Sequence, residues 1–258
     1  MLLVIDVGNS NTSLGVYSGA DLIAHWRLTT NAARTVDEYG VHARNLFELA
    51  QLDFKAIDSI AIASVVPPLN YTLRRMAEVY FHVTPLFVDH NSNTGLRILY
   101  EPASDVGADR IVDAVAAVER YGAPCVVVDL GTATTFNVIN ERREYVGGVI
   151  TPGIMISSEA LFARTSKLPR VDIRRPEKVI GSSTVEAMQA GLYYGYASLV
   201  DGVLERILGE LDKKPRVIAT GGLAPLIATA SQFIEKVDDT LTLEGLRLVY
   251  EKARVSNK

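Results

Sequence analysis

The chain has 258 residues, 48% of them hydrophobic and 22% charged, with a formal charge of −4. That apolar fraction builds a packed core and excludes disorder as the default state, and a sequence pI of about 5.6 lacks the basic footprint, above about 9, of a nucleic-acid binder. Cys125 is the one cysteine, which excludes an intrachain disulfide and a cysteine-based metal site.

Met1-Leu2-Leu3-Val4-Ile5-Asp6 has no basic n-region and meets a carboxylate too early for a signal peptide. No apolar run approaches the ~20 residues of a membrane span, so a soluble, cytoplasmic protein with no membrane or nucleic-acid partner is expected. Leu2–Asp6, Thr12–Tyr17 and Leu22–Leu28 read as short strands separated by Gly8-Asn9 and Ser18-Gly19-Ala20 turns. Thr35-Val36-Asp37-Glu38 has capping-box spacing and predicts a helix to about Leu52. Ile57–Val66 is a β-branched run of the kind covered on both faces, and Pro67-Pro68 suits the first turn of a helix to about Tyr80. Gly107–Tyr121 reads as a helix; Cys125–Leu130, Thr134–Ile139 and Tyr145–Ile150 read as strands. A long helix is predicted from about Ser183 to Leu211, its apolar positions Val185, Met188, Leu192, Tyr196, Leu199, Val203 and Ile207 stepping by three and four. Strand Arg216–Thr220 and helices Gly222–Ser231 and Thr242–Arg254 close the chain.

The order of these elements contains a repeat. Val4-Ile5-Asp6-Val7-Gly8-Asn9-Ser10-Asn11-Thr12 resembles Val128-Asp129-Leu130-Gly131-Thr132-Ala133-Thr134-Thr135. In each, an apolar strand runs into Asp-x-Gly and then small polar residues. Ile60–Leu69 likewise resembles Val217–Leu226, a buried strand ending in a turn that opens a helix. The two halves predict a duplicated α/β domain, residues 1–118 and 119–258, with a cleft between the copies.

An aspartate at the end of a buried strand needs a partner for its charge, commonly a metal ion or the water bound to it. The glycine two residues on lets backbone N–H groups approach an anion, and Asn9, Ser10, Asn11 and Thr12 can bond phosphate oxygens. Two such loops suit a nucleotide. There is no G-x-x-x-x-G-K-[ST] loop and no lysine in either turn, so backbone amides, Mg²⁺ and a further cation must offset the charge. Pro102-Ala103-Ser104-Asp105-Val106-Gly107-Ala108-Asp109-Arg110 opens a helix. There Asp109 can accept a proton from an attacking alcohol, or Asp105 and Asp109 can simply favour the helix dipole; the residues alone support both. The four histidines show no metal-ligand spacing, Arg74-Arg75 and Arg174-Arg175 read as solvated faces, and Gly191 and Gly195 would admit a close helix inside the subunit or across a dimer.

Asp6–Asn11, Gly107–Arg110, Asp129–Thr135, Gly147-Gly148-Val149-Ile150-x-Pro152-Gly153 and Thr220-Gly221-Gly222, in that order, resemble the type III pantothenate kinases. That family is a branch of the actin, Hsp70 and sugar-kinase superfamily; Ser10 stands where it more often has threonine. The resemblance implies ribonuclease-H-like domains with mixed sheets and ATP-dependent phosphorylation of pantothenate, the first step towards coenzyme A. It implies that the loop Asp6, Val7, Gly8, Asn9, Ser10, Asn11, Thr12, Ser13 and Thr132 bind ATP, with Asp6 on Mg²⁺ through water. It implies Asp109 as base, and Tyr100, Gly107, Ala108 and Arg110 at the pantothenate. Asp129 becomes the ligand of K⁺ or NH₄⁺. Thr184 becomes a substrate contact given to the partner subunit of a homodimer with composite sites. The alternatives are another small-molecule kinase of the superfamily and a non-catalytic regulatory protein of the same fold.

Overall fold

Uninterrupted apolar runs form the central strands, because both faces of such a strand are covered. The computed structural model of the chain describes residues 1–256. In it β1 (Leu2–Val7) runs antiparallel to β2 (Asn11–Ser18) and parallel to β4 (Ser59–Ser64). With β3 (Asp21–Thr29) and β5 (Leu86–Phe87) they form a mixed sheet ordered β3-β2-β1-β4-β5. Helix α1 (Val36–Leu49) starts at the predicted capping box: Thr35 accepts from the Glu38 N–H while the Glu38 carboxylate accepts from that of Thr35. Helix α2 (Pro67–Met76) has proline in its first turn and continues as a π-helical turn, Ala77–Phe81. Tyr39, Phe47, Leu69, Leu73 and Met76 of these helices cover the sheet face made by Leu3, Ile5, Val7, Leu14, Val16, Ile60 and Ile62.

The strand β6 (Arg97–Ile98) precedes α3 (Ala108–Tyr121). Beyond it come β7 (Cys125–Leu130), β8 (Ala133–Ile139), β9 (Glu144–Pro152), α4 (Ile154–Arg164), α5 (Thr184–Glu210), β10 (Arg216–Thr220), α6 (Ala224–Ala228), β11 (Lys236–Val237) and α7 (Leu241–Ser256). These later strands lie in the order β11-β10-β7-β8-β9, with β7 antiparallel to β8 and parallel to β10. Val126, Val128, Leu130, Phe136 and Val138 form the face covered by Leu192, Tyr193, Tyr196, Val200 and Leu204 of α5. The expected repeat is therefore a repeat of topology: β7, β8, β9, β10 and β11 recur in the places of β1, β2, β3, β4 and β5.

The chain divides within α3. Met1–Ala116 and helix α7 form one unit, and Ala117–Thr240 the other. The expected division at 118 and 119 lies close to this, but the closing helix does not join the C-terminal part. It packs on β1, β2 and β4, and an added Cβ on Gly15 would lie 3.1 Å from Val4 and 3.2 Å from Leu243. Three helices also differ. Helix α4 was not expected, because it buries only Ile154 and Ser158 and shows no continuous apolar stripe. Helix α6 is shorter than Gly222–Ser231. On α5 Val185 is exposed, while Gln189, Ala190, Tyr193, Ala197, Val200 and Leu204 are buried alongside Met188, Leu192, Tyr196 and Ile207, because the helix buries a broad band rather than a single line. Among the described residues no helix is long and apolar enough to cross a membrane.

Candidate active site

In the first unit, Asp6 is the penultimate residue of β1. Alternation along the strand sends it away from the face of Leu3, Ile5 and Val7. Its register partners Ser13 on β2 and Ala63 on β4 share its face. The Gly8 N–H donates to the Asn11 carbonyl at 3.0 Å and closes the turn, leaving Asn9, Ser10 and Asn11 exposed. Two other expected loop contacts are placed differently. Val7 is fully buried in the core, and Thr12, 2% exposed, has its hydroxyl 2.8 Å from that of Thr30. Neither presents its side chain to a ligand.

The same strand ends carry the second group of residues. Val65, just past β4, donates its N–H to the Val7 carbonyl at 3.0 Å. A Cβ added to Gly107 would lie 3.3 Å from Val65 Cγ1 and 2.5 Å from Asp109 Oδ1. The carboxylate of Asp109, in the first turn of α3, thus folds back over a glycine at the end of the sheet where β1 delivers Asp6. Its Oδ1 accepts from the Arg110 N–H at 2.8 Å. Desolvation of the carboxyl group raises its pKa above the ordinary value, opposed by that N–H and by the Arg110 charge. Asp105 differs: it ends a 3₁₀ turn, Ala103–Asp105, and is exposed. Ala108 and Arg110 are buried, and the Arg110 guanidinium stands 5.9 Å from the centroid of the Tyr100 ring.

In the second unit Asp129 repeats the position of Asp6, opposite Thr135 on β8 and Thr220 on β10. Its carboxylate lies between two glycines. An added Cβ would be 3.3 Å from it at Gly131 and 2.5 Å from it at Gly221, whose φ is +94°. At Gly221 only a residue without a side chain leaves that carboxylate its space. Gly153, just past β9, donates its N–H to the Thr132 carbonyl at 3.2 Å, and a Cβ there would collide with the same carbonyl. The Tyr196 hydroxyl of α5 donates to the adjacent Pro152 carbonyl. Thr184 is the exposed first residue of α5, next to the capping Ser183. Gly191 and Gly195 are exposed on the same helix with open space where a Cβ would be, so packing within the subunit does not explain them.

Among the described residues no cluster of three His, Cys, Asp or Glu side chains could hold a metal. The hard carboxylates at the strand ends stand singly, Asp6 in the first unit and Asp129 in the second. A single carboxylate such as Asp6 suits Mg²⁺, which binds through one or two carboxylates plus phosphate and water.

The family model for type III pantothenate kinases matches residues 2–206. The chain belongs to that family. The type III pantothenate kinase of Halalkalibacterium halodurans is 55% identical over 252 residues, covering 98% of this chain and 99% of the relative. That of Koribacter versatilis is 55% identical over 262 residues, covering 98% and 96%. Among solved structures, the activator of 2-hydroxyisocaproyl-CoA dehydratase from Clostridium difficile with bound ADPNP superposes with a TM-score of 0.59 at 12% identity over 99% and 96% of the chains. The ethanolamine utilization protein EutJ from Carboxydothermus hydrogenoformans does so at 0.58, with 14% identity over 96% and 89%. These likenesses show a fold that the chain shares with those two proteins.

For this pantothenate kinase, sequence reasoning left three supporting residues without a role. Gly221 makes room for Asp129, and the Gly-Gly pair after a strand is its signal. Gly153 stands against Thr132. Thr30 follows β3 and meets the Gly8–Asn11 turn only through the β2–β3 register, which no motif marks.

Proposed function

We propose that Asp109 is the base in this chain's reaction, the ATP-dependent phosphorylation of pantothenate that opens coenzyme A synthesis. The observation that carries this role is the half-buried Asp109 carboxyl group, folded over Gly107 at the ends of β1 and β4, with desolvation raising its pKa. A raised pKa makes it a better proton acceptor than a solvated carboxylate. The primary hydroxyl of pantothenate donates its proton to Asp109 as the hydroxyl oxygen bonds to the γ-phosphorus and the bond to the leaving ADP oxygen breaks. Phosphoryl transfer asks for positioning and charge neutralisation more than for covalent chemistry by the protein. The amides of the Gly8–Asn11 turn would hold phosphate oxygens, and Asp6 would hold Mg²⁺, through water, which would neutralise their charge. Val7 and Thr12 shape that turn from behind, and Ser13 shares the face of Asp6. Buried Arg110, beside Tyr100, receives the pantothenate carboxylate, with Gly107 and Ala108 lining that site.

In the second unit Asp129, cradled by Gly131 and Gly221, holds a monovalent cation, K⁺ or NH₄⁺, and Thr132 contacts ATP. The exposed Gly191 and Gly195 admit a second copy of α5, and the homodimer so formed supplies Thr184 to its partner's pantothenate site. The net charge of −4 supports a role without nucleic acid, and ATP as phosphoryl donor supports a cytoplasmic one.

The variant Asp109→Asn tests the base. Turnover should fall by about 10²- to 10⁴-fold while ADP and ATP affinities stay within a factor of about 3, a change worth under 1 kcal/mol. In the native enzyme kcat/KM for pantothenate should fall as pH drops through the raised Asp109 pKa, and this limb should vanish in the variant. Stability moves the other way. A carboxyl with a raised folded-state pKa subtracts stability once pH exceeds its ordinary value, so the asparagine variant should melt no lower than the native enzyme at neutral pH. Undiminished turnover would remove Asp109 from the base role.

A further inference from the structure

We propose that Thr30 is a positioning residue that aims the amides of the phosphate turn, a role that rests on the turn at Gly8–Asn11 being the nucleotide-phosphate site. Thr30 holds that turn at two carbonyls. Its hydroxyl donates to the Gly8 carbonyl at 2.7 Å and its N–H to the Ser10 carbonyl at 3.0 Å. A hydroxyl has one proton. Since the Thr30 proton goes to Gly8, the 2.8 Å contact between the Thr12 and Thr30 hydroxyls takes its proton from Thr12. The relay therefore runs from Thr12 to Thr30 to the Gly8 carbonyl, and each bond polarises the next.

This arrangement fixes direction as well as position. A trans peptide unit points its C=O and N–H to opposite sides. Holding the Gly8 carbonyl turns the N–H of Asn9 away from Thr30, and holding the Ser10 carbonyl does the same for the N–H of Asn11. Two amides are thereby held on the side of the turn away from Thr30, with their directions fixed before any anion arrives. A lysine-free loop depends on amides held in place before the phosphate arrives.

The second copy of the repeat carries the same brace at the same place. Gly153 follows β9 as Thr30 follows β3, and its N–H donates to the Thr132 carbonyl. There the residue is glycine because a Cβ would strike that carbonyl. In the first copy the position admits a side chain, and the hydroxyl adds the hold on Gly8.

Thr30→Val keeps the shape and the Thr30 N–H but removes the hydroxyl. It should raise KM for ATP by about tenfold to thirtyfold, as expected for two lost neutral hydrogen bonds, with KM for pantothenate unchanged. Thr30→Ser should restore the native KM for ATP. Thr12→Val removes only the outer donor and should raise KM for ATP by about threefold or less, and it reads the relay even if Thr30→Val folds poorly. An unchanged KM for ATP in Thr30→Val, or a fall in melting temperature with both KM values unmoved, would overturn the positioning role. Thr12→Val as damaging as Thr30→Val would overturn the relay and make Thr12 the phosphate contact. Native enzyme without ATP-dependent phosphorylation of pantothenate would instead overturn the function on which the role rests.

Discussion

Replacing Gly107 by alanine should separate catalysis from folding. The new Cβ would stand 2.5 Å from Asp109 Oδ1, and ordinary van der Waals contact begins at 3.4 Å. The carboxylate must therefore retreat by about 0.9 Å, because the methyl is fixed to the backbone and the carboxylate is the end of a side chain. Val65 Cγ1, at 3.3 Å, needs to give only about a tenth of an ångström. Folding should cost little, within about 1 kcal/mol, since the atom that moves is not backbone. Catalysis should not escape, because a misplacement of about 1 Å at a reacting group costs on the order of 10²-fold in rate. The assay is ADP release at saturating ATP and pantothenate, beside a thermal melt. The expected result is a kcat lower by about 10²-fold with a melting temperature shifted by no more than about 4 °C, as befits a change of that size. A kcat within about threefold of native, a barrier change under 1 kcal/mol, would refute the claim that the Asp109 carboxylate must lie over Gly107 to act.

Three more outcomes follow from the second unit. Exchanging K⁺ for Na⁺ should lower turnover, and Asp129→Asn should make the enzyme indifferent to the exchange; equal rates in the two salts with native enzyme would exclude an ion at Asp129. Gly221→Ala should both melt lower and lose the K⁺ response, because the methyl meets Leu130 backbone atoms at 2.7 and 2.8 Å as well as Asp129 and the φ of +94° disfavours any side chain. Gly195→Leu places a large side chain on the open face of α5. It should convert a dimer to a monomer by light scattering and reduce pantothenate turnover together with it, and an unchanged dimer mass would remove α5 from the interface.

Strand positions were legible because β1, β4, β7 and β10 are continuous apolar runs, and Thr35 marked the start of α1 through a local bond pattern. The repeat was legible because each copy needs the same Asp-x-Gly turn at the same strand end. Tertiary choices were not. The periodicity of Leu243, Leu246 and Val249 says that α7 buries one face, but not that it returns to β1 rather than to the nearer β10. On α4 the exposed Met155, Ile156 and Leu161 blur the alternation that would have announced a helix. In the site, Asp6, Asp109 and Asp129 stood out as carboxylates after strands or at a helix start. The sequence already set Asp109 inside the helix and Asp105 before it, and three-dimensional placement adds that Asp109 is half-buried over Gly107 while Asp105 is exposed. Thr12 offers a hydroxyl in the sequence, but the β2–β3 register spends it on Thr30.

Because α7 supplies part of the covering of β1, β2 and β4, the first unit is discontinuous in sequence, with the whole of the second inserted between its two pieces. During synthesis the ribosome releases every residue of the inserted unit before it releases Leu243, Leu246 and Val249, all buried in the finished protein. The half that begins first is thus the half that matures last. A nascent chain stalled before residue 241 would carry the Gly8–Asn11 turn on a sheet still missing one of its covers.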